Sequence, residues 1–393
     1  MQASDKRPSR RYQQNWPAYY ASQVNEKPLF FEICGELRKE VLEPQYVTGH
    51  PPCPLGDMVF SLVYKVYSNL SSQRFQYDLK EAQAKGLISE APSPNTLSEY
   101  MRDESLTDVL RHLVTKSSLP LAGAETVFAA DSTGFSIPLR RVWFNRHTQR
   151  REKRRNFIKL HVMVGVASNI ITCAEPSEGS ASDRTYLGRL VEGTARYFDI
   201  SEVSADAGFL SGENMRTVLL AGGIPYIAFY KNCALDADYK SNFWKDLLYL
   251  YKTRHPRFME RYYLRNNVEA SFASMKEKFG GRLRSKSTTG QFNEALCKAL
   301  CHNICVLIHS MHQTGIDPTA WAGVQVRPEA AAGLTGAGLK HREKDLAEIR
   351  SAAAQRESYV EKKPSRCVRR PRKAKRRADR RLAHPIQATL FER

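Results

Sequence analysis

Three carboxylates in this chain have sequence neighbours that are compatible with a functional site. Asp131 follows the apolar run TVFAA and Asp206 follows SEVSA, so each is predicted to leave a short buried strand. Glu269 lies in the segment 261–286, RYYLRNNVEASFASMKEKFGGRLRSK, which holds seven Lys/Arg and only one other acid, Glu277. An acid after a buried strand is often a turn former, but functional sites of open α/β sheets also cluster at strand ends. Both interpretations of the two aspartates are open on these grounds alone.

The segment 261–286, read as one helix, places four polar side chains on a single stripe. At 100° per residue, Tyr262, Arg265, Glu269 and Lys276 fall within about 60° of one another. The neighbouring face is apolar and is predicted to pack on the core: Leu264, Val268, Phe272, Met275 and Phe279. Taken alone, Arg265 and Glu269 form an i,i+4 pair, which on an exposed helix contributes only about 0.3–0.5 kcal/mol.

Together, Asp131, Asp206 and Glu269 could form a trio of ligands for hard divalent cations such as Mg²⁺. Two such ions about 4 Å apart activate an attacking oxygen and stabilise a leaving oxygen on phosphorus. Basic groups beside the trio would then hold a phosphodiester backbone. A surface ion pair for Glu269 and turn formation for the two aspartates are the structural alternatives.

The first third of the chain is predicted to be helical. Residues 54–70 and 73–85 show helical spacing of apolar residues, with Gly86 as the stop, and two shorter helices follow the PSPN turn at 92–95. Thr96 is the expected cap of the third helix. Such short helices are typical both of a DNA-reading helix-turn-helix and of a plain helical bundle.

The middle of the chain has the pattern of an α/β domain. Strands are predicted over 126–131, 157–166, 170–175, 201–206 and 224–229, and the helices between and after them begin near Ser182 or Asp183, at Ser211, near 240 and near 291. This order predicts a mixed α/β sheet with flanking helices. Asp183 is interpreted as a helix cap in preference to a metal ligand, and His161 as a side chain packed within its strand.

The net charge of +19 over 393 residues indicates a polyanionic partner, and nucleic acid is the first candidate. Residues 139–159 hold nine Lys/Arg, and residues 362–381 hold twelve against the single acid Asp379. We expect the first block to contact DNA through a hairpin or loop, and the second to be a disordered tail with non-specific phosphate affinity. Without an apolar leader or membrane span, the chain is expected to be soluble and cytoplasmic, associating with the nucleoid when bound to DNA.

Three cysteines, Cys297, Cys301 and Cys305, recur every four residues near His302 and His309. A soft-metal site is conceivable, but no partner with paired spacing is present, so burial on the core face of a helix is the favoured interpretation.

The motifs resemble those of a known family. The spacing Tyr262-x2-Arg265-x3-Glu269-x6-Lys276 is similar to the C-terminal signature of bacterial insertion-sequence transposases of the DDE class. The motifs DSTG (131–134) and SADAGF (204–209) resemble that family's first and second Asp motifs. The N-terminal RRYQQNWPAYY and the helical segment 54–117 are also similar to the start of such transposases, so the resemblance covers about residues 10–313.

This resemblance implies an RNase H-like fold on which Asp131, Asp206 and Glu269 form the catalytic triad and bind two Mg²⁺ or Mn²⁺ ions. Water, and then a DNA 3′-hydroxyl, would attack phosphorus without a covalent enzyme intermediate. Arg265 and Lys276 would grip the phosphates of the transposon ends, and Tyr262 would pack against DNA near the cleavage point. Further DNA contacts are predicted from the neighbouring basic residues Arg282, Arg284, Lys286, Arg150, Arg151, Arg154 and Arg155.

The implied partner is double-stranded DNA, both terminal inverted repeats and target, bound by a homodimer and without any membrane. We predict a flexible basic arm (1–20), a helical DNA-binding domain (21–120), an RNase H-like catalytic domain (121–315), and a linker, candidate helix and basic tail (316–393). Only 62 residues separate Asp206 from Glu269, and 240–251 looks helical, which puts in doubt the β-rich insertion of some relatives. The alternatives are an RNase H-fold nuclease without joining activity and a non-catalytic DNA-binding protein derived from a transposase.

Overall fold

The chain forms a set of helices, then a five-stranded sheet with flanking helices, and then one long helix. The computed structural model describes residues 15–44, 53–137, 157–230, 233, 242–321 and 324. Within these ranges the helices are α1 (Trp16–Val24), α2 (Glu26–Arg38), α3 (Leu55–Ser68), α4 (Ser72–Ala84), α5 (Pro94–Tyr100), α6 (Ser105–Ser118), α7 (Leu187–Ala195), α8 (Gly212–Leu220), α9 (Asn242–Thr253), α10 (His255–Tyr262), α11 (Asn266–Phe279) and α12 (Thr288–Thr314). The strands are β1 (Val127–Ser136), β2 (Phe157–Gly165), β3 (Ile171–Glu178), β4 (Glu202–Ala205) and β5 (Ile224–Ile227).

The sheet has the strand order β3-β2-β1-β4-β5. The first three strands form an antiparallel meander, whereas β4 and β5 run parallel to β1. Helix α7 packs on β2 and β3 and α8 on β5, while α6, α10, α11 and α12 also pack on the sheet. A mixed sheet of this order, with flanking helices and a preceding helical region, is an RNase H-like fold, as the sequence predicted.

Strand β1 is longer than the sequence indicated. The strand was predicted over 126–131, ending at Asp131, but β1 continues to Ser136. The cause is pairing with β2, in which Ser132 lies opposite His161 and Ser136 opposite Phe157. The prediction that Asp131 ends its strand is therefore wrong: Asp131 lies at the centre of β1.

Two predicted helix caps are also wrong. Ser93 caps α5 by accepting a hydrogen bond from Thr96 N at 3.1 Å, so Thr96 lies inside the helix and Pro94 takes the first helical position, which suits its fixed φ. At the second place, Asp183 begins a short 3₁₀ turn (Asp183–Thr185) ahead of α7, and no side-chain cap bond is made there. Ser211, in contrast, caps α8 as predicted, accepting from Asn214 N at 3.0 Å.

The segment 261–286 is not one helix. Helix α10 ends at Tyr262, a 3₁₀ turn occupies Tyr263–Arg265, and α11 begins at Asn266. Because a 3₁₀ turn winds more tightly than an α-helix, the stripe calculated at 100° per residue does not hold across residues 262–266. At the other end, Gly280 with φ +80° terminates α11 at Phe279, and the chain leaves the helix.

Helix α12 joins the N-terminal helices to the sheet. It contacts α1, α2, α3 and α6 on one side and β2 and β3 on another, and one continuous apolar core runs through all of them. A DNA-reading role for α3–α6 and the division at residue 120 remain predictions, because packing on α12 is compatible with either interpretation.

The cysteine stripe of α12 belongs to this core. Cys297 and Cys301 are fully buried and Cys305 is half-buried, which agrees with packing as the role of the three thiols. No helix in the described part of the chain, α12 included, is long and apolar enough to cross a membrane.

Candidate active site

The first two predicted carboxylates lie side by side at the centre of the sheet. Strands β1 and β4 are parallel neighbours, and Ala130 pairs with Ala205. Asp131 and Asp206 directly follow this pair on the two strands, so the register brings them together although 75 positions separate them in sequence. Asp131 is half-buried within its strand, whereas Asp206 is exposed where β4 ends.

Arg265 links Asp131 to the third carboxylate. Its Nη1 donates to Asp131 Oδ2 at 2.7 Å, and its Nη2 lies 3.0 Å from Glu269 Oε1. The side chains of Asp131 and Arg265 are each 17% exposed, but that of Glu269 is 60% exposed. One guanidinium therefore neutralises two of the three acids, one buried within the sheet and one open to solvent.

Tyr262 completes the contacts of the carboxylates. Its hydroxyl donates to Asp206 Oδ1 at 3.4 Å, and the Arg265 guanidinium lies 5.8 Å from the centre of its ring. Burial raises the pKa of Tyr262, while Arg265 acts in the opposite direction. The structure thus gathers five predicted site residues, Asp131, Asp206, Glu269, Tyr262 and Arg265, in one place.

Burial sets the electrostatics of Asp131. Desolvation raises the pKa of this carboxyl above its ordinary value, and the neighbouring Asp206 raises it further. The Ser132 N–H, 2.7 Å from Oδ1, and the Arg265 guanidinium partly offset this rise. An additional cation placed beside this carboxyl is therefore expected to stabilise its charged form.

Oxygen donors on rigid elements are the ligand type that hard divalent ions prefer, so the residues present fit such an ion in kind. Among the described residues, however, no group of three or more His, Cys, Asp and Glu side chains stands close enough to hold a metal ion. Arg265 contacts both Asp131 and Glu269, so its guanidinium would compete with any ion that these two carboxylates hold.

A second polar cluster adjoins the carboxylates on the other face of β1. Asp183 Oδ1 accepts hydrogen bonds from Ser132 Oγ at 3.0 Å and from Lys159 Nζ at 2.9 Å, and it lies 3.4 Å from His161 Nδ1. Ser132 follows Asp131 and points to the opposite face, as neighbours on a strand must. Asp183 therefore fixes the backbone that carries Asp131.

Gly208 separates Asp183 from Asp206. A Cβ added at this glycine would lie 3.8 Å from Asp183 Oδ2 and 3.9 Å from Asp206 Oδ2, so both carboxylates border the same small space. The SADAGF motif thus places a residue without a side chain where two acids approach each other.

The role of Asp183 in this cluster differs from its sequence-based prediction. Asp183 was interpreted as a cap, but its carboxylate pairs with Lys159 instead of with helix N–H groups. A lysine within the apolar run FIKLHVMVGV was the available signal, because a charge in a mostly buried strand needs a partner. His161 is buried as predicted, stacked on the Tyr186 ring with centroids 4.0 Å apart and hydrogen-bonded to Ser177 Oγ at 2.8 Å.

Other predicted DNA contacts lie away from the carboxylates. Lys276, two turns beyond Glu269 on α11, has its ammonium 5.6 Å from the Phe135 ring centre, and burial lowers its pKa. Arg282 and Lys286 are exposed on the segment after α11, and the exposed Arg284 hydrogen-bonds Asn69. Arg150, Arg151, Arg154 and Arg155, together with the tail, lie outside the described residues.

The domain is RNase H-like and has a carboxylate site. Asp131 lies in β1, Asp206 directly follows β4, and Glu269 lies in α11. Residues 122–304 match the family model described as the transposase DDE domain, a range that contains all three acids. This segment therefore matches a DDE transposase domain, and the resemblance seen in the sequence is confirmed at this level. A bacterial insertion sequence as its origin stays a prediction.

Among solved structures, the chain is similar to a piggyBac transposase in a synaptic complex with hairpin DNA, studied by cryo-electron microscopy. The two share 13% identity over 88% of this chain and 83% of that one, with a TM-score of 0.34. A score this low carries no argument here. No curated protein sequence matches the chain.

Proposed function

We propose that this protein is a DNA transposase that binds transposon ends, cuts the DNA there and joins the cut end to a target. The observation that carries the proposal is the convergence of Asp131, Asp206 and Glu269, from two neighbouring strands and one helix, around Arg265. The family match supports the class of reaction.

In the proposed reaction, water attacks a phosphorus at the transposon end, one P–O bond forms and one breaks, and a free 3′-hydroxyl leaves. That hydroxyl then attacks a target phosphorus, so each phosphodiester bond that breaks in the target is replaced by a new one. In each step the attacking oxygen loses a proton and the leaving oxygen gains one. No covalent bond to the protein is required.

Asp131, Asp206 and Glu269 would hold Mg²⁺ or Mn²⁺, proposed as two ions. When bound, they supply activation of the attacking oxygen and stabilisation of the leaving oxygen. Asp131 and Asp206 are held by the sheet, whereas Glu269 is exposed and can adjust its position. Arg265, once released from Asp131, is the nearest cation for a backbone phosphate, and Tyr262 stands beside it.

The test is a cleavage assay on DNA that carries the element's terminal repeats. Asp131→Asn, Asp206→Asn and Glu269→Gln should each abolish Mg²⁺-dependent cleavage, a loss of at least about 1,000-fold, while DNA binding persists. Glu277→Gln, an exposed acid on the same helix, is the matched control and should cut normally. Full cleavage by any one of the three variants would remove that residue from the reaction.

A further inference from the structure

A cavity of about 740 Å³ lies between the N-terminal helices and the chain that follows α11. One wall is formed by α3, the start of α4 and the end of α5, and the other by residues 284–287 and the start of α12. The residues lining this basic cleft include Lys65, Arg102, Arg284, Lys286 and Lys298 against one acid, Glu294.

In the described part of the chain none of these five cations has a carboxylate partner, and Arg284 and Lys298 bond uncharged oxygens instead. Among the described residues, no acid lies within ion-pair distance of Lys65, Arg102 or Lys286. Lys65 is half-buried on α3, and burial lowers its pKa even though Glu294 acts in the opposite direction. A desolvated ammonium without an ion pair is costly, and an anion in the cleft would relieve that cost.

The remaining charged residues build the walls. Glu294 accepts hydrogen bonds from the backbone N–H groups of Arg284 and Ser285, both at distances below 3 Å. Lys298 Nζ donates to backbone carbonyls, among them Phe279 O at 2.8 Å. The Arg284 guanidinium bonds Asn69 O at 2.6 Å and Asn69 Oδ1 at 2.8 Å, which ties the two walls together.

Uncapped backbone donors add to the positive character. Ser71 and Ser72 line the cleft at the start of α4, and the Ser71 side chain makes no capping hydrogen bond. The first N–H groups of this 13-residue helix therefore have no side-chain cap where Ser71 and Ser72 border the cleft. Further hydroxyls come from Ser98 and Ser287.

The cleft is connected to the carboxylate site by strand β1. Ser136, at the end of β1, accepts from Leu283 N at 2.9 Å, and its N–H donates to Gly281 O at 3.1 Å. Five residues of strand from Asp131 to Ser136 span roughly 17 Å at about 3.3 Å per residue. At about 3.4 Å of rise per base pair, this corresponds to about five base pairs of duplex.

We propose that the basic cleft binds the phosphodiester backbone of duplex DNA, at least about five base pairs from the phosphate that reacts at the carboxylate site. Lys65, Arg102 and Lys286 are its phosphate contacts, and the two walls hold the N-terminal helices in register with the catalytic domain. The site rests on the proposed function for its biological meaning, but its DNA affinity is measurable without catalysis.

The experiment measures the affinity of the full chain for a 30-base-pair duplex of mixed sequence, in EDTA, over a series of KCl concentrations. Phosphate contacts need no particular sequence, and each contributes about 0.9 to the slope of log Kd against log salt. The double variant Lys65→Met/Lys286→Gln should lower the slope by about 2 and raise Kd about tenfold at 0.1 M KCl. Arg102→Gln should lower the slope by about 1. Because Arg102 is exposed, this variant tests the cleft even if the Lys65 variant misfolds.

The matched control is Lys39→Gln/Lys85→Gln. It removes the same charge at exposed lysines that are paired with Glu36 and Glu81, away from the cleft. An unchanged slope in the cleft variants, or an equal drop in the control, overturns the proposal. A second arm titrates ATP: loss of ATP binding with an unchanged DNA slope would assign the cleft to small anions instead. The assay is run in EDTA and measures binding alone, so a failure of catalysis stays separate from a failure of the cleft.

Discussion

At the scale of single residues, Arg265 is the side chain whose position matters most. It contacts Asp131 and Glu269 at 2.7 and 3.0 Å, so in the free protein it supplies positive charge to two of the carboxylates that would hold a divalent cation. The sequence assigned Arg265 to DNA phosphates. Both roles are compatible if the guanidinium exchanges its carboxylate contacts for a phosphate contact when DNA binds.

The variant Arg265→Ala tests whether Arg265 both competes with a metal ion for the carboxylates and contacts DNA phosphate. Without DNA, removal of the competing guanidinium should tighten Mn²⁺ binding several-fold by calorimetry, because Asp131 and Glu269 lose their internal cation. With DNA, the same variant should lower the salt slope by about 1. Lys276→Ala is the comparison: it should lower the DNA slope and leave Mn²⁺ affinity unchanged, since Lys276 contacts the Phe135 ring and not the acids. Weaker Mn²⁺ binding in Arg265→Ala would contradict the competing role.

At the scale of elements, helix α12 holds the sheet and the N-terminal helices together through buried amides. Asn303 Oδ1 accepts from Ile171 N at 2.9 Å, and its Nδ2 donates to Ile171 O at 2.7 Å, Val114 O at 3.1 Å and Ser117 Oγ at 2.9 Å. One fully buried side chain thus joins α12 to β3 and α6.

Asn303→Leu should lower the free energy of unfolding by about 2–4 kcal/mol, because it leaves buried groups of Ile171 without hydrogen-bond partners. The urea midpoint is the measurement. Gln313→Ala, exposed near the end of the same helix, should stay within about 0.5 kcal/mol of the wild type. A change as small in Asn303→Leu would show that the amide contacts do not hold these elements together.

The elements also show what local sequence can and cannot predict. Apolar spacing was sufficient for α3, α6 and α12, whereas the prediction of one helix over 261–286 ran through Gly280, which ends α11. The 3₁₀ turn at Tyr263–Arg265 carries no Pro or Gly, and the extension of β1 to Ser136 depends on β2, so neither had a local signal.

At the scale of the whole molecule, Asp131, Asp206 and Glu269 were predicted to lie close together, and they do, although Asp131 lies within β1 and not at its end. The Lys159–Asp183 pair and the basic cleft depend on tertiary contacts. Arg284 and Asn69, which close the cleft, lie 215 positions apart in the sequence. No local pattern reports a contact of this kind.

The basic cleft and the carboxylate site together define how DNA would lie on the protein. Lys276 lies in the last turn of α11, Arg282 and Lys286 follow in the segment after it, and β1 leads from Asp131 to the same region. A duplex following this path would meet the N-terminal helices and the catalytic domain at once. The continuous core beneath both parts would keep that path fixed.

Strand transfer tests the central claim most directly. Transposon-end duplexes that already carry a free 3′-hydroxyl are mixed with target plasmid, the wild-type protein or Asp206→Asn, and Mg²⁺, and the joined product is measured. We expect the wild type to join the transposon ends to the plasmid, and Asp206→Asn to give no joined product at equal DNA occupancy. Equal joining by Asp206→Asn would contradict the three-carboxylate site, and cleavage without any joining by the wild type would make the protein a nuclease and not a transposase.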